Sequence, residues 1–509
     1  MKKCVLILTL TLCSATLSVA QSLQLDNALQ FSQNIYEGTA RFQAMGGAFA
    51  ALGGDFTSLS INPAGVAVYR SSEIAITPVL ALPATSAGYM RNTLDDSKTR
   101  FGLGSIGYVS ALPTYNIEGL MSVNLGIGFN TLQNNTQRFS AGARTRASDN
   151  LSYLRHLALG LTGISTADFN TLATDEEWMA NSTSLIAAIE GRDGYYIAAT
   201  EDFHSTYPDS LELISQMGDV DQLLYHDQSG HVGEYVFNMG INLSDRFYFG
   251  LSLGLQDIVH DLYEQYQEQA VNPADFDAPK AGNPGFQEFT RTFTSETRGI
   301  GYNVKFGAIA RPTAGLRIGA YIHTPTWATL HEHWTADMTS YLKIGKHYAN
   351  IDPSDYYYRM QTPFRWGAGL AYTFGSIGLL SMDYEGVDYS GFKLREDNGS
   401  IGSFAKDAEY VKQYYRSVTS NIRVGGELRI SRIALRAGYA YYQHPGKEMK
   451  AQQICSIGIG YSGAFFFIDG AWSFSPDNTQ WRTLYNGNPN LVSTNTFFSK
   501  IAITTGWRF

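Results

Sequence analysis

Alternation of apolar residues with small or polar ones is the main pattern of this chain, and the last segment shows it clearly. Over 497–509 the odd positions carry Phe, Ser, Ile, Ile, Thr, Trp and Phe, and the even positions carry Phe, Lys, Ala, Thr, Gly and Arg. Successive side chains of a β-strand point to opposite faces, so a period of two indicates a strand. This strand is amphipathic and stops on an aromatic residue, Phe509.

Segments of the same kind recur along the chain. In the segment 120–130, the apolar residues Val123, Leu125, Ile127 and Phe129 share one face, and Asn124, Gly126, Gly128 and Asn130 share the other. The alternating segments lie near 72–82, 100–111, 120–130, 234–243, 247–256, 287–310, 315–323, 361–373, 378–387, 418–430, 433–443, 452–461, 464–473 and 496–508. They number about fourteen, and bacterial single-chain barrels usually have an even number of strands.

Two stretches do not alternate. The first, 21–70, precedes the strands, and the lumen of a barrel is the space available to it. The second, 133–230, carries apolar residues at three- and four-residue steps, which predict two helices. A structureless loop of this length is uncommon, so we expect this insertion to fold as an extracellular cap.

The N-terminus has the features of a signal peptide. Lys2 and Lys3 precede an apolar run, and Ser-Val-Ala at 18–20 predicts cleavage near Ala20. No later apolar run approaches the ~20 residues of a membrane-spanning helix. A membrane protein without such helices is a closed barrel, because every backbone group in lipid needs an internal partner. We therefore predict an all-β fold, in which 71–509 form a transmembrane antiparallel β-barrel around the segment 21–70; a secreted all-β protein is the alternative.

Composition narrows the function classes. The aromatic content of 13% suits the aromatic girdles of a barrel, and the charged content of 16% is below the ~25% of soluble domains. The net charge of −9 argues against nucleic acid as a partner. Cys4 and Cys13 lie in the predicted signal peptide, so the mature chain would keep only Cys455. A single cysteine excludes both an internal disulfide and a multi-cysteine metal site.

Two motifs lie close together in the first non-alternating stretch. Met-Gly-Gly-Ala-Phe-Ala occupies 45–50 and Asn-Pro-Ala-Gly occupies 62–65. They resemble the N-terminal plug, or hatch, of the FadL/TodX family of hydrophobic-compound transporters. Weaker similarities to the family lie at 316–325 and 362–365. The segments 383–385 and 424–427 resemble Bacteroidetes members of the family, which are often labelled haemin receptors. Without the resemblance, the same residues predict only a glycine-rich turn and an Asn-Pro break.

The resemblance implies a mechanism. In this family a plug closes the barrel, and an apolar compound is captured near the extracellular loops. The compound then passes into the lumen and leaves the barrel through a gap in the wall, where the third strand kinks. The gate residues would be Asn62, Pro63, Ala64 and Gly65. The third strand is 120–130, where Gly126 and Gly128 would host the kink; alternatively they leave room for the plug.

The insertion is the expected place of capture, by its position alone. The candidate groove residues are Leu154, Leu161, Trp178, Leu185 and Ile189. An ordinary pair of amphipathic helices that packs on itself is the alternative.

The sequence thus predicts passive uptake of hydrophobic small molecules, such as long-chain fatty acids, by a monomer without cofactor. Its partners would be the lipid of the outer membrane, the apolar ligand, and the barrel-assembly machinery at Phe509. No Gly-x-Ser-x-Gly motif or clustered Ser/His/Asp set points to an enzyme. Haem uptake through His331 and His333, with His323 and His156 as further candidates, is one alternative. A docking barrel of the type IX secretion machinery is another.

Overall fold

The computed structural model of the protein describes residues 23–116, 118–204, 213–277 and 284–509. The predicted signal peptide 1–20 and its cleavage site lie outside the described residues. The described strands are β1 (Glu73–Ala81), β2 (Ala84–Tyr89), β3 (Asn92–Ser97), β4 (Arg100–Pro113), β5 (Leu120–Asn134), β6 (Gln137–Thr145), β7 (Ile186–Ala188), β8 (Tyr196–Ala198), β9 (Glu201–His204), β10 (Leu213–Gln216), β11 (Val220–Leu243), β12 (Phe247–Ala270), β13 (Phe286–Ala310), β14 (Leu316–His323), β15 (Trp327–Leu342), β16 (Gly345–Asn350), β17 (Ser354–Gln361), β18 (Phe364–Thr373), β19 (Gly378–Asp388), β20 (Lys393–Glu396), β21 (Val418–Ile430), β22 (Ile433–Tyr442), β23 (Gln452–Ser462), β24 (Phe466–Ser475), β25 (Thr479–Thr483) and β26 (Leu491–Arg508). The described α-helices are α1 (Leu23–Phe31), α2 (Ala40–Ala44), α3 (Tyr153–Gly160), α4 (Phe169–Leu172), α5 (Asp175–Ser182) and α6 (Ala405–Tyr414).

The wall is an antiparallel barrel that crosses fourteen times within the described residues and closes where β1 pairs with β26. All fourteen alternating segments of the sequence lie on these crossings, which confirms the predicted fold class. Several crossings consist of two strands in line. Pro83 separates β1 from β2, Pro325 separates β14 from β15, and Pro363 separates β17 from β18, because proline has no N–H to donate to the ladder.

Side chains alternate between a lipid-like exterior and a polar interior. On β11 and β12, Phe237 and Leu253 point outward and are exposed, whereas Asn238 and Ser252 point inward and are buried. The outward positions from 235 to 255 on this hairpin are apolar and form part of an outward apolar band around the barrel. Such a band suits the hydrocarbon region of a bilayer.

The tall strands β11, β12 and β13 extend well beyond the apolar band. Above Tyr235 and Leu255 most of their outward side chains are polar or charged, as at Asp227 and Asp261. The opposite end has short turns, such as the one in which Ser244 and Asp245 adopt φ values of 55° and 53°. Asymmetry of this kind, with short turns at one end and long connections at the other, is typical of outer-membrane barrels.

The insertion between β6 and β11 covers 146–219, and we call it the cap. Helices α3, α4 and α5 lie in it, with the two-stranded sheets β7–β8 and β9–β10. The sequence placed this insertion at 133–230, but β5, β6 and β11 continue the wall into that range. Both faces of the wall carry polar residues there, so the alternation that marks a strand is lost. No helix in the described part of the chain is long and apolar enough to span a membrane.

Residues 23–72 lie inside the barrel, and we call them the plug. The helix α1 lies at the level of the tall strands, since Gln24 donates to Glu332 at 3.0 Å and Gln228 donates to Gln30 at 2.8 Å. The chain then descends through α2 to two 3₁₀-helices, Phe56–Ser60 and Pro63–Val68, near the short turns. It leaves the lumen where Ser72 exchanges backbone hydrogen bonds with Phe509.

Candidate transport path through the barrel

The plug is compact because side-chain caps and glycines shape its turns. The hydroxyl of Thr39 accepts a hydrogen bond from Phe42 at the start of α2, and the carboxylate of Asp55 accepts one from Thr57. Caps of this kind contribute about 1 kcal/mol each. Five glycines of the plug adopt positive φ, which other residues rarely do, and they are Gly38, Gly46, Gly47, Gly53 and Gly54.

The four predicted gate residues, 62–65, pack against the wall at the end with the short turns. Asn62 accepts a hydrogen bond from Ala64 and donates to the carbonyl oxygens of Ala50 at 2.6 Å and Ala308 at 3.2 Å. All four residues, Asn62, Pro63, Ala64 and Gly65, are buried. They therefore fill the lumen at this level.

Wall glycines make this close approach between plug and strands possible. A Cβ at Gly307 would lie 1.9 Å from Asn62 Oδ1, and one at Gly250 would lie 2.2 Å from the carbonyl carbon of Pro63. A Cβ at Gly319 would lie 2.1 Å from the carbonyl oxygen of Ala50. The glycines of the inward face are thus part of the fit between plug and wall.

Polar side chains of the wall fasten the plug backbone around the lumen. Asp383 accepts a hydrogen bond from the N–H of Ala50 at 2.7 Å. The wall donors and their plug carbonyls are Arg317 to Leu52 at 2.6 Å, Lys305 to Ser60 at 3.0 Å, His323 to Ile61 at 2.6 Å and Asn124 to Val66 at 2.9 Å. Because these residues come from four different strands of the wall, the lower plug is held on several sides.

The ladder of the wall opens between β4 and β5. The two strands pair from Pro113 and Ser122 up to Ser105 and Asn130, and above that level β4 pairs only with β1. Thr131, Gln133 and Asn134 of β5 still pair with β11, but the register shifts between Thr131 and Gln133. We call this interruption the lateral gap.

Leu132 marks a β-bulge in the lateral gap. Gly233 of β11 pairs with Thr131 and the preceding Val232 pairs with Gln133, so Leu132 has no partner on β11. Its side chain is fully buried, and its carbonyl oxygen accepts a hydrogen bond from the N–H of Ile35 in the plug. A bulge bends its strand and ends regular pairing, which accounts for the divergence of β5 from β4.

The plug segment 35–37 fills the lateral gap from inside. Besides the Ile35 contact, the N–H of Glu37 donates to the carbonyl oxygen of Thr131 at 3.0 Å. The buried Glu37 carboxylate lies 3.3 Å from Arg100 on β4, 3.2 Å from Asn134 on β5 and 3.8 Å from Lys500 on β26. One plug carboxylate therefore connects both sides of the lateral gap.

Gly126 and Gly128 lie below the lateral gap, inside the regular ladder. Gly126 pairs with Val109 and Gly128 with Gly107. Added Cβ atoms would approach Leu59 Cδ1 at 2.9 Å and Phe56 Cζ at 2.5 Å. At these positions the glycines make room for the plug, and the interruption of the ladder starts only after Asn130.

Sequence reasoning did not find Glu37 or the bulge. A buried glutamate in the plug has no distinguishing pattern, since its partners come from three distant strands. The polar run Gln-Asn-Asn-Thr at 133–136, which breaks the alternation after 130, is the one signal that marks the gap.

The predicted groove residues of the cap are mostly core. Leu154, Leu161 and Leu185 are fully buried and belong to one apolar cluster with the inner face of the wall. Ile189 is half-buried, and Trp178 is exposed. The structure therefore brings three of the five together in the interior, where they support the cap, and leaves Trp178 at the surface.

A cavity of ≈ 430 Å³ lies between the cap and the inner face of the tall strands. Its lining comes from α3, α5, β13, β15 and the connection before β26, and we call it the cap cavity. Among the lining residues are Tyr153, His156, Leu157, Glu176, Glu177, Met179, Arg291, Phe293, Trp334 and Ala336. Burial lowers the pKa of His156, which favours its neutral form.

The histidine pair proposed for haem lies on the outer face of β15. His331 Nε2 and His333 Nδ1 approach the same oxygen of Asp355, at 2.7 and 3.0 Å, and both side chains are partly exposed. The ring of His331 also stacks on Tyr357 at 4.4 Å. The two rings share one face, as the spacing predicts, but that face is outside the lumen and is not an apolar slot.

These features define a plugged barrel with a lateral gap beside its plug. No family model matches the chain, and no curated protein matches its sequence. Solved structures do match its shape. A FadL homologue from Pseudomonas aeruginosa shares 13% identity, over 93% of this chain and 98% of that one, with a TM-score of 0.54. The toluene transporter TodX of P. putida shares 13% identity over 94% and 99%, with a TM-score of 0.52. The chain therefore has the FadL/TodX fold, and the resemblance inferred from its plug motifs is confirmed at the level of fold.

Proposed function

We propose that the protein is a monomeric outer-membrane transporter for the passive uptake of hydrophobic small molecules. The observation that carries this proposal is the lateral gap, which interrupts the wall beside the plug segment 35–37. TodX, which shares the fold, is described as a toluene transporter. Long-chain fatty acids and monoaromatic hydrocarbons are both candidate cargo.

The proposed route runs from the cap cavity down the lumen to the lateral gap. The lower plug is held by the polar contacts described above and blocks passage straight through the barrel. Movement of the segment 35–37 would free the gap at the upper edge of the apolar band. Release into lipid then keeps the cargo out of water, where exposure of apolar surface costs roughly 25 cal/mol per Å².

In this proposal the residues Asn62, Pro63, Ala64 and Gly65 are the fixed lower gate. Gly126 and Gly128 allow the plug to approach the wall directly below the exit. The moving part is the segment around Glu37. Two backbone hydrogen bonds hold this segment against the wall at the bulge, and they would break when it moves.

A reversible cross-link tests the route. Cysteines replace Glu37 and Asn134 in a Cys455→Ser background, and a short thiol-reactive cross-linker joins them. In liposomes that contain the purified protein, we expect the cross-link to abolish uptake of a radiolabelled apolar compound and a cleaving reductant to restore it.

The control joins two wall positions that do not move in this proposal. Thr85 and Thr496 lie on paired strands, with their hydroxyls 3.0 Å apart. Cysteines at these positions, joined in the same way, should leave uptake unchanged. Equal uptake by the 37–134 protein with and without its cross-link would contradict the lateral route.

A further inference from the structure

A group of three basic residues lies on the outer face of the wall, at the upper edge of the apolar band. It consists of Arg359 on β17 with Lys393 and Arg395 on β20, and we call it the basic patch. We infer that the basic patch binds the phosphate groups of a phosphorylated lipid in the outer leaflet of the membrane. The inference goes beyond the proposed transport function and does not depend on the lateral route.

The basic patch lies at the height where lipid head groups begin. Lys393 pairs with Gln361, which pairs with Trp327 on the other side of β17. Trp327 is outward and exposed, and aromatic residues of this kind mark the boundary of the hydrocarbon region. Arg359 and Arg395 lie two residues higher, which is about 7 Å along the strand. Long basic side chains at this height reach the level of lipid head groups.

The two arginines of the basic patch face each other directly. Arg359 pairs with Arg395 in the antiparallel ladder of β17 and β20, so their Cβ atoms lie about 4.5–5.5 Å apart. Like charges at opposite positions of a sheet are destabilising. An anion between the two side chains would replace this repulsion with two attractive contacts, and the guanidinium group matches the geometry of phosphate oxygens.

The protein supplies little negative charge to the basic patch. Asp397 accepts hydrogen bonds from Arg359 at 3.3 and 3.4 Å, but both side chains are exposed, so this ion pair contributes little. Within the described part of the chain, Lys393 and Arg395 have no carboxylate at ion-pair distance, and Arg395 donates to the carbonyl oxygen of Gly399 instead. The excess positive charge is local, since the chain as a whole has a net charge of −9.

Two other outward arginines above the apolar band differ from the basic patch because carboxylates neutralise them. Arg298 on β13 lies 2.7 Å from Asp261, and Arg138 on β6 lies 2.7 Å from Asp227. Neither arginine is directly opposite another basic residue in its ladders, since Arg298 pairs with Val259 and His331, and Arg138 pairs with Asp227. An external anion therefore has more to gain at the basic patch than at these positions.

The experiment compares one lipid with and without its phosphates. The probes are lipid A with two phosphates, a glycolipid of bacterial outer leaflets, and the same lipid after enzymatic removal of both phosphates. Each is titrated into the full chain in mild detergent, and native mass spectrometry counts the bound molecules. We expect the phosphorylated lipid to bind at least about tenfold more tightly, because each basic residue near an anionic head group adds several-fold to binding. Equal occupancy by the two lipids would overturn the inference.

Two double variants of equal net charge locate the site. Arg359→Gln with Arg395→Gln removes the facing pair and should weaken binding of the phosphorylated lipid at least about tenfold. Arg144→Gln with Lys346→Gln removes the same charge from exposed positions far above the apolar band and should leave binding unchanged. Equal weakening in the two variants would show a general effect of net charge and overturn the inference.

The lipid without phosphates also reports on the integrity of the barrel. Its binding should be the same in the native protein and in both double variants. If Arg359→Gln with Arg395→Gln loses both lipids alike, the effect is structural and the inference is overturned.

Inorganic phosphate separates a lipid from a free anion as the occupant. At tenfold molar excess over phosphorylated lipid A, it should not displace the lipid, because the acyl chains add contacts with the apolar band below the patch. Displacement would assign the patch to free phosphate and overturn the assignment to a lipid.

Failure of this inference can be told apart from failure of the proposed function. The basic patch lies on β17 and β20, whereas the lateral gap lies between β4 and β5. If the cross-link at the gap blocks uptake while Arg359→Gln with Arg395→Gln binds phosphorylated lipid A like the native protein, the inference is wrong and the lateral route stands. If this variant loses the lipid while the cross-link has no effect on uptake, the lipid site stands and the lateral route is wrong.

Discussion

Glu37 of the plug lies 3.3 Å from Arg100 on β4 and is completely buried. This ion pair spans the interior side of the lateral gap. Breaking one side of a buried pair leaves the other charge without compensation, which is strongly destabilising for the local arrangement. The pair therefore holds the segment 35–37 in its closed position.

Glu37→Ala should make the barrel leaky. We expect a several-fold increase in the permeability of liposomes that contain the variant, measured as efflux of a small dye, because the segment 35–37 loses its contacts with three strands. Arg70→Ala is the control, since it removes the exposed pair of Arg70 with Asp245. Equal efflux from the two variants would show that Glu37 does not close the gap.

Gly319→Ala should loosen the plug. The added Cβ would lie 2.1 Å from the carbonyl oxygen of Ala50, so the plug or β14 must shift. Overpacking of this kind costs typically about 1–3 kcal/mol, and we expect a lower melting temperature and faster proteolysis of the plug. Gly391→Ala meets no atom within 4 Å and serves as control; matching melting curves would refute the close fit at Gly319.

Acidification should weaken the packing of α1. His260 is buried against Phe31, with ring centroids 5.5 Å apart, above the apolar band. Burial lowers the pKa of His260 from 6.5 to about 4; His226 and Arg298 act in the same direction, and Asp261 opposes them. The folded state therefore resists protonation while the unfolded chain accepts it.

The contribution of His260 to stability is complete above pH 6.5 and is lost as the pH falls to about 4. The loss should reach about 3 kcal/mol at most. His260→Gln does not titrate, so its urea midpoint should fall less between pH 7.5 and 4.5 than that of the native chain. Parallel losses in both proteins would assign the acid sensitivity to other groups.

Replacing His331 and His333 together with Ala should leave uptake of apolar compounds within about twofold of the native rate. Both rings lie outside the lumen, and their exposed contacts with Asp355 contribute little. Uptake into liposomes measures this directly. A haem absorption band that the double variant loses would favour the haem alternative instead.

Deletion of Phe509 should reduce assembly in cells more than stability in vitro. The Phe509 ring is exposed and stacks on Tyr108 at 6.2 Å, so the deletion removes little packing besides the two backbone hydrogen bonds with Ser72. If the barrel-assembly machinery recognises this residue, the yield in outer membranes should fall while refolding into detergent is preserved. Phe509→Tyr, which keeps the aromatic ring, is the control; a deletion that refolds poorly as well would point to a structural role.

The sequence predicted the fold well where the wall faces lipid, and less well above it. Segments such as 120–130 and 497–509 alternate because one face meets an apolar exterior and the other a polar lumen. Above Tyr235 on β11 both faces are polar, so the upper half of the strand was assigned to the insertion. The upper ends of β11 and β12 therefore could not be read from periodicity, whereas the predicted segment 287–310 agrees with β13 to within one residue.

The site was only partly predictable for a related reason. The motif at 62–65 predicted a compact plug, because its Asn-Pro-Ala-Gly pattern has a local meaning. Glu37 acts through partners that lie far away in sequence, on other strands, and no local pattern marks it. Apolar residues at helical spacing can form either a binding surface or a core. The spacing of Leu154 and Leu185 therefore did not distinguish the predicted groove from the core that they form.

The height of the tall strands separates the cap cavity from the lateral gap. On β12, Tyr266 pairs with Arg291 at the cavity and Asp257 pairs with Gly233 beside the gap. The nine residue steps from 257 to 266 span roughly 30 Å along the strand, several times the width of an aromatic ring. A small cargo molecule cannot contact the cap cavity and the lateral gap at the same time. It would therefore have to leave the cavity before it reaches the gap. Compounds that stay longest in the cap cavity would then be delivered most slowly, and the fastest cargo would be one that binds there only weakly.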